Sequence, residues 1–122
     1  YELFSLLKEN SCKIAIATTD KTERAELVMD FLGLKDQTDF IIGADLVKKG
    51  KPAPDMVNFI LKRLAIDRGR AVMIGDALTD IQMGINARLK ASIAVLSGLA
   101  SESELKKLTP HIIKSIETIR VE

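Results

Sequence analysis

The sequence predicts an α/β fold built as one doubly wound sheet of parallel strands, and two observations carry that prediction. Short apolar, β-capable runs alternate with segments of helical period about 10 to 12 residues long, which implies parallel pairing through right-handed crossovers. The polar residues that interrupt this pattern fall where the strands should end, the edge at which doubly wound sheets bind ligands.

The elements follow in order. Tyr1 to Asn10 places Leu3, Leu6 and Leu7 at helical spacing with no capping residue ahead of them, and it reads as the end of a helix that starts upstream. Lys13 to Ala17 is the first strand, stopped by Thr18-Thr19-Asp20, polar residues suited to a strand end and a helix cap. A helix from Thr22 to Leu32 turns Ala25, Val28, Met29 and Leu32 inward and ends at Gly33. Phe40 to Gly43 is the second strand. After the Lys-, Gly- and Pro-rich loop from Lys48 to Pro54 a helix runs from Pro54 to Ala65, with Pro54 in its first turn, where an N–H would be unpaired in any case.

Ala71 to Ile74 forms the third strand, broken at Gly75-Asp76 and followed by a helix from Leu78 to Leu89. Ala91 to Leu96 is the fourth, ended by Ser97-Gly98. The tail carries a short helix at Ser101 to Lys107, a break at Pro110 and a short edge strand at His111 to Ile113. Ile116, Ile119 and Val121 suit a last helical turn.

A chain of 122 residues supports one domain, taken here as 1–122, and is too short for two of ordinary size. With 47% apolar and 29% charged residues it has the balance of a folded globular protein. A net charge of +1, no basic block, four Phe and one Tyr argue against nucleic-acid binding. Cys12 alone excludes an internal disulfide and fits a half-buried thiol. No run approaches a membrane span and no secretory layout opens the chain, so a cytoplasmic location is expected. His111 has no acidic or Cys neighbour, and Met29, Met56, Met73 and Met83 lie on apolar faces; all five are expected to be packing residues.

The chemistry is expected at the strand ends. Gly75 lets the backbone turn out of the third strand, Asp76 sits at its tip, and Asp80 faces the same side from the first helical turn. Two carboxylates aimed at one point need a cation, and Mg²⁺ favours one or two carboxylates with water and a phosphate oxygen. Either acid alone would be read as a helix cap or a loop residue. Lys51, restricted by Pro52, would offset the crowded carboxylates and phosphate oxygens as a point charge, whereas Lys48 and Lys49 carry no such constraint. Thr18, with Thr19 beside it, offers a hydroxyl and backbone N–H groups at a helix N-terminus, a natural phosphate site; read alone, Thr18 is an N-cap.

In this order the strand-ending Thr18, the Lys51-Pro52-Ala53-Pro54-Asp55 loop and the Gly75-Asp76…Asp80 acids resemble three of the four signature motifs of the haloacid dehalogenase-like (HAD) superfamily. The resemblance covers nearly the whole chain and is closest to the phosphoglycolate phosphatase-like and β-phosphoglucomutase-like branch. It implies a HAD-like Rossmannoid core, a Mg²⁺ cofactor, and hydrolysis of a small phosphorylated metabolite through an aspartyl-phosphate. Two positions depart from the pattern: Thr19 stands where Asn is frequent, and Arg88 where Gly usually follows Ala87.

The fourth motif, D-x-D-G-T/V with the nucleophilic Asp, is not recognisable in the chain. The best substitute is Asp20-Lys21-Thr22, and Thr18 as the second motif fits the spacing better. The resemblance therefore implies that the central nucleophile strand and the cap domain are absent, and that this chain alone is inactive or nearly so. Two apolar strand edges would be left open. Direct pairing, self-association, another segment filling the gap, or membership of a longer protein would each close it. The alternatives to an enzyme core are a non-catalytic HAD-like binding or assembly module and a phosphoacceptor receiver domain. In the latter the acids come early and Lys-Pro last, the reverse of the order here.

Overall fold

A computed structural model describes residues 2–97 and 100–115. The helices are α1 (Glu2–Glu9), α2 (Thr22–Phe31), α3 (Asp55–Leu64), α4 (Leu78–Asn86) and α5 (Glu102–Leu108). The strands are β1 (Ala15–Thr18), β2 (Phe40–Gly43), β3 (Val72–Gly75), β4 (Ala91–Val95) and β5 (Ile112–Ile113). All the strand pairings are parallel, as the alternation predicts. The last helical turn expected at Ile116 to Val121, and Gly98 of the fourth strand end, lie outside the described residues.

The strands form two sheets rather than one. β1 pairs with β2, with Thr18 opposite Gly43, and β3–β4–β5 form the second sheet, with Gly75 opposite Ala94. β1 and β3 do not pair directly, and among the described residues no strand lies between them. The two sheets are bridged by helices. Met56, Val57 and Leu61 of α3, Met83 of α4 and Ala87 just after it pack in one cluster with Ile42, and Ala17 and Met73 close it from β1 and β3. A second cluster joins Ile81 of α4 to Ala94 and to Leu105 of α5.

Successive strand residues face opposite ways, so Gly43 looks away from the face that Ile42 gives to α3. A Cβ on Gly43 would run into the backbone of Asp20 and Thr22, which puts the start of α2 on that opposite face and makes the fold doubly wound. The cover there is incomplete: Val72 is 48% exposed in the middle of a strand-forming run. Val28 and Leu32, expected inside, are 50% and 43% exposed, and only Met29 of that helix is buried. The inward face read from helical period thus holds at Met29 and in part at Ala25 and fails at Val28 and Leu32, which nothing among the described residues buries. No helix of the described residues is long and apolar enough to cross a membrane.

Several local expectations shift. Pro54 stands one residue ahead of α3 at its N-cap rather than in its first turn. The side chain of His111 is exposed, and its contribution is a backbone carbonyl that accepts from the Ala94 N–H. Met29, Met56 and Met83 are buried and Cys12 is half-buried, as expected. Ser101 caps α5, its Oγ accepting from the Glu104 N–H at 3.2 Å.

Arg88 follows α4 with φ +59°, the left-handed conformation that the missing glycine would adopt without a Cβ penalty. It is exposed. Arg88→Gly is therefore expected to raise stability by about 1 kcal/mol, read as a higher urea midpoint at unchanged slope.

The start of β1 is fastened by Asp39. Its Oδ2 accepts from the Ile14 N–H at 2.7 Å and both its oxygens accept from Lys8 Nζ. Burial pushes the carboxyl up, but the bonds from Lys8 and Ile14 outweigh it and hold the pKa below its ordinary value of 3.8. The folded state thus binds the proton less readily than the unfolded one. The stabilisation is complete above the ordinary value and is lost as pH falls through the lowered one. Asp39→Asn should be destabilising at neutral pH and should flatten the acid side of the stability profile, measured by urea unfolding on either side of about pH 4.

Candidate active site

Gly75 closes β3 and is followed by Asp76, Ala77 and the first turn of α4. The turn is tight: a Cβ on Gly75 would stand 2.7 Å from Asp80 Oδ2 and closer still to its Cβ, so only glycine lets Asp80 fold back over the strand end. Asp80 is buried in consequence. Its Oδ2 accepts from the Ala77 N–H at 3.2 Å, half of a capping box whose other half Ala77 has no side chain to make. Its Oδ1 accepts from Lys51 Nζ, and the two side chains are 10% and 11% exposed.

Lys51 arrives from a turn closed by the Ala53 N–H on the Gly50 carbonyl at 3.0 Å, with the Lys51–Pro52 peptide cis at its centre. Lys48 and Lys49 lie on the exposed stretch before it, and the Lys49 N–H is held by Asp55 Oδ2 at 3.3 Å. One lysine of the three is thus drawn inward.

Asp76 is half-buried, and no hydrogen bond or ion pair ties its carboxylate to another described residue. That contrast with Asp80 separates two acids that their spacing had treated alike. Asp80 spends both oxygens inside the protein, whereas no described residue engages those of Asp76. Among the described residues no group of three or more His, Cys, Asp or Glu stands together. A cation held by Asp76, or by Asp76 and Asp80, would complete its shell with water and phosphate oxygens.

Thr18 ends β1, half-buried, and its Oγ1 accepts from the Asp20 N–H at 3.1 Å, leaving its own proton to donate. Thr19 is exposed. The N-terminus of α2 behind them is already served by carboxylates. Asp20 Oδ1 accepts from the Lys21 N–H at 2.9 Å, and Asp45 Oδ1 accepts from both the Thr22 N–H and Thr22 Oγ1 at 2.8 Å. The bonds from Thr22 hold the Asp45 carboxyl below the ordinary carboxylate range. Asp45 is thus the cap of α2, with Asp20 bound to the N-cap backbone and, at 3.7 Å, to Arg24. No hydrogen bond or ion pair among the described residues links Thr18 or Thr19 to Lys51, Asp76 or Asp80.

Residues 1–88 match the sequence profile of the haloacid dehalogenase-like hydrolases. The chain is 32% identical over 112 residues to "Probable phosphatase IndB" of Dickeya dadantii, an alignment covering 92% of this chain and 48% of that protein. It is 28% identical over 103 residues to the phosphoglycolate phosphatase of Aquifex aeolicus, covering 84% and 48%. The solved structure of a predicted phosphatase from Clostridium acetobutylicum superposes with a TM-score of 0.82 at 28% identity, over 95% of this chain and 54% of that one. The chain thus spans about half the length of the relatives it matches.

Proposed function

The chain belongs to the haloacid dehalogenase-like hydrolase family, on its phosphoglycolate phosphatase-like branch, and from that premise we propose that it supplies part of a Mg²⁺-dependent phosphatase site for a small phosphorylated metabolite. The observation that carries the proposal is the asymmetric pair of acids at the end of β3: Asp80 locked to Lys51, and Asp76 beside it with no hydrogen-bond or ion-pair partner among the described residues.

In this reading Asp76 would hold the Mg²⁺, with the second lone pairs of Asp80 facing the ion or its water. Bound there, the cation would neutralise charge on the phosphoryl oxygens. Lys51 would present its ammonium to the same oxygens, kept in place by Asp80. Thr18 would donate its free hydroxyl proton to a phosphate oxygen, and Thr19 its exposed polar groups.

The nucleophilic Asp would come from a strand entering the gap between β1 and β3, supplied by another segment. Without it the remaining groups bind and orient phosphate but form no aspartyl-phosphate. This chain alone is then expected to bind inorganic phosphate with Mg²⁺ and to leave p-nitrophenyl phosphate unhydrolysed. The alternative reading is a non-catalytic HAD-like binding or assembly module, and an apolar strand followed by D-x-D in a segment upstream of this one would decide for the enzyme.

Calorimetric titration with Mg²⁺ and inorganic phosphate tests the first reading. Asp76→Asn should abolish Mg²⁺-dependent phosphate binding without unfolding the chain. Binding that survives in this variant would overturn the assignment, and an unmutated chain that binds neither Mg²⁺ nor phosphate would favour the module.

A further inference from the structure

The turn that carries Lys51 is gripped at two points by one helix. Asp80, in the first turn of α4, takes the Lys51 ammonium. Asn86, the last residue of α4, donates from Nδ2 to the Pro52 carbonyl at 2.8 Å. Six residues of α-helix rise about 9 Å, so the two grips are well separated: one on the lysine head, one on the backbone immediately after it.

Asn86 is itself oriented. Its Oδ1 accepts from Gln82 Nε2 at 2.9 Å, one helical turn earlier. That bond engages the amide oxygen and leaves the amide nitrogen to face the turn. The end of α4 is fixed in its turn by Arg68, which donates to the Ala87 carbonyl and, at 3.2 Å, to Asn58 Oδ1 of α3. The anchor of the Lys51 turn therefore rests on a helix end that is tied to the next helix.

We propose that Asn86, oriented by Gln82, is a positioning residue that sets where the Lys51 ammonium stands against Asp76 and Asp80. The proposal rests on the phosphatase reading of that site. A lysine side chain has four rotatable bonds, so an ion pair at its tip fixes the head only as well as the backbone beneath it is fixed. With the Pro52 carbonyl released, the turn can pivot and the head with it. Asn86 is exposed and its bond competes with water, so the effect belongs at the low end of what one hydrogen bond does to an equilibrium, about threefold.

The test reads the lysine directly. In ¹⁵N–¹H spectra of the side-chain ammonium groups, a Lys51 signal slowed by its pairing with Asp80 is assigned through its loss in Lys51→Met. Asn86→Ala and Asn86→Asp, the second of which keeps the shape but cannot donate, are expected to weaken that signal. Both should also lower Mg²⁺-dependent affinity for inorganic phosphate about threefold, with far-UV circular dichroism unchanged. Gln82→Ala, which leaves Asn86 in place, should act in the same direction by a smaller amount and serves if an Asn86 variant fails to fold. A Lys51 signal unchanged in these variants overturns the inference. A signal lost in them, while Lys51→Met leaves phosphate binding intact, sustains the positioning role and overturns the phosphatase reading instead.

Discussion

Asp80→Ala is expected to lower folding stability by about 3–5 kcal/mol and to remove phosphate binding in the same step. The size follows from what is left behind. Lys51 and Asp80 are 10% and 11% exposed, so deleting the carboxylate leaves an ammonium where little water can replace it. The Ala77 N–H loses its acceptor as well. A domain of this kind is stable by about 5–15 kcal/mol, so the variant should carry a measurable unfolded fraction.

The double variant Lys51→Met/Asp80→Ala separates the charge from the fold. Removing both ions also removes their desolvation cost, so the pair should recover much of the stability lost in Asp80→Ala, with a coupling of several kcal/mol in a double-mutant cycle. Phosphate binding should not return. Urea midpoints of the four proteins decide the matter. A loss below about 1 kcal/mol in Asp80→Ala would mark the contact as an ordinary surface ion pair, and the argument that Lys51 is drawn inward would fail with it.

How far these roles could be read in advance depended on distance along the chain. The strands and helices were legible because their signals are local: a short apolar run at Phe40 to Gly43, helical period at Leu78 to Asn86, a glycine at position 33 with φ +73°. Lys51, Asp76 and Asp80 were visible as candidates, since a Pro after a Lys and a Gly before an Asp constrain the backbone where they stand. What each does was not, because it is decided by partners far away in sequence. Asp45 caps a helix that starts 23 positions earlier, whereas the capping residues legible in the sequence, Thr18 to Asp20, are those immediately ahead of it. Asp80 was legible as a second carboxylate beside Asp76, but its bond from Lys51, 29 positions away, was not. The split of the sheet is of the same kind: the pattern shows which segments are strands and says nothing of which edges meet. Asn86 gave no signal of its role in the sequence, because its partner Pro52 lies 34 positions away.

Gly84 sets local propensity against packing most directly. In the interior of a helix Ala is favoured over Gly by about 1 kcal/mol, and from the sequence alone Gly84→Ala would be chosen as a stabilising change. In the fold, a Cβ on Gly84 would stand 2.7 Å from Met73 Cβ and nearer still to Ser92 Oγ. Neither neighbour can retreat cheaply. Met73 meets the new atom with its own Cβ, which is fixed to β3. Ser92 is buried, donates from Oγ to the Ile81 carbonyl at 3.1 Å, and lends its carbonyl to Thr109 Oγ1 at 2.6 Å. The helix must lift, and overpacking of this kind costs about 3 kcal/mol, outweighing the gain in propensity. For a chain of this length that corresponds to a fall in Tm of roughly 10 °C. Adding Ser92→Ala should recover only part of it, because the clash with Met73 remains. A Tm that rises in Gly84→Ala would mean that α4 rides farther from β3 and β4 than described. Since α4 carries Asp80 in its first turn and Asn86 in its last, lifting it at Gly84 displaces both grips on the Lys51 turn, and phosphate binding should weaken even at temperatures where the variant is fully folded.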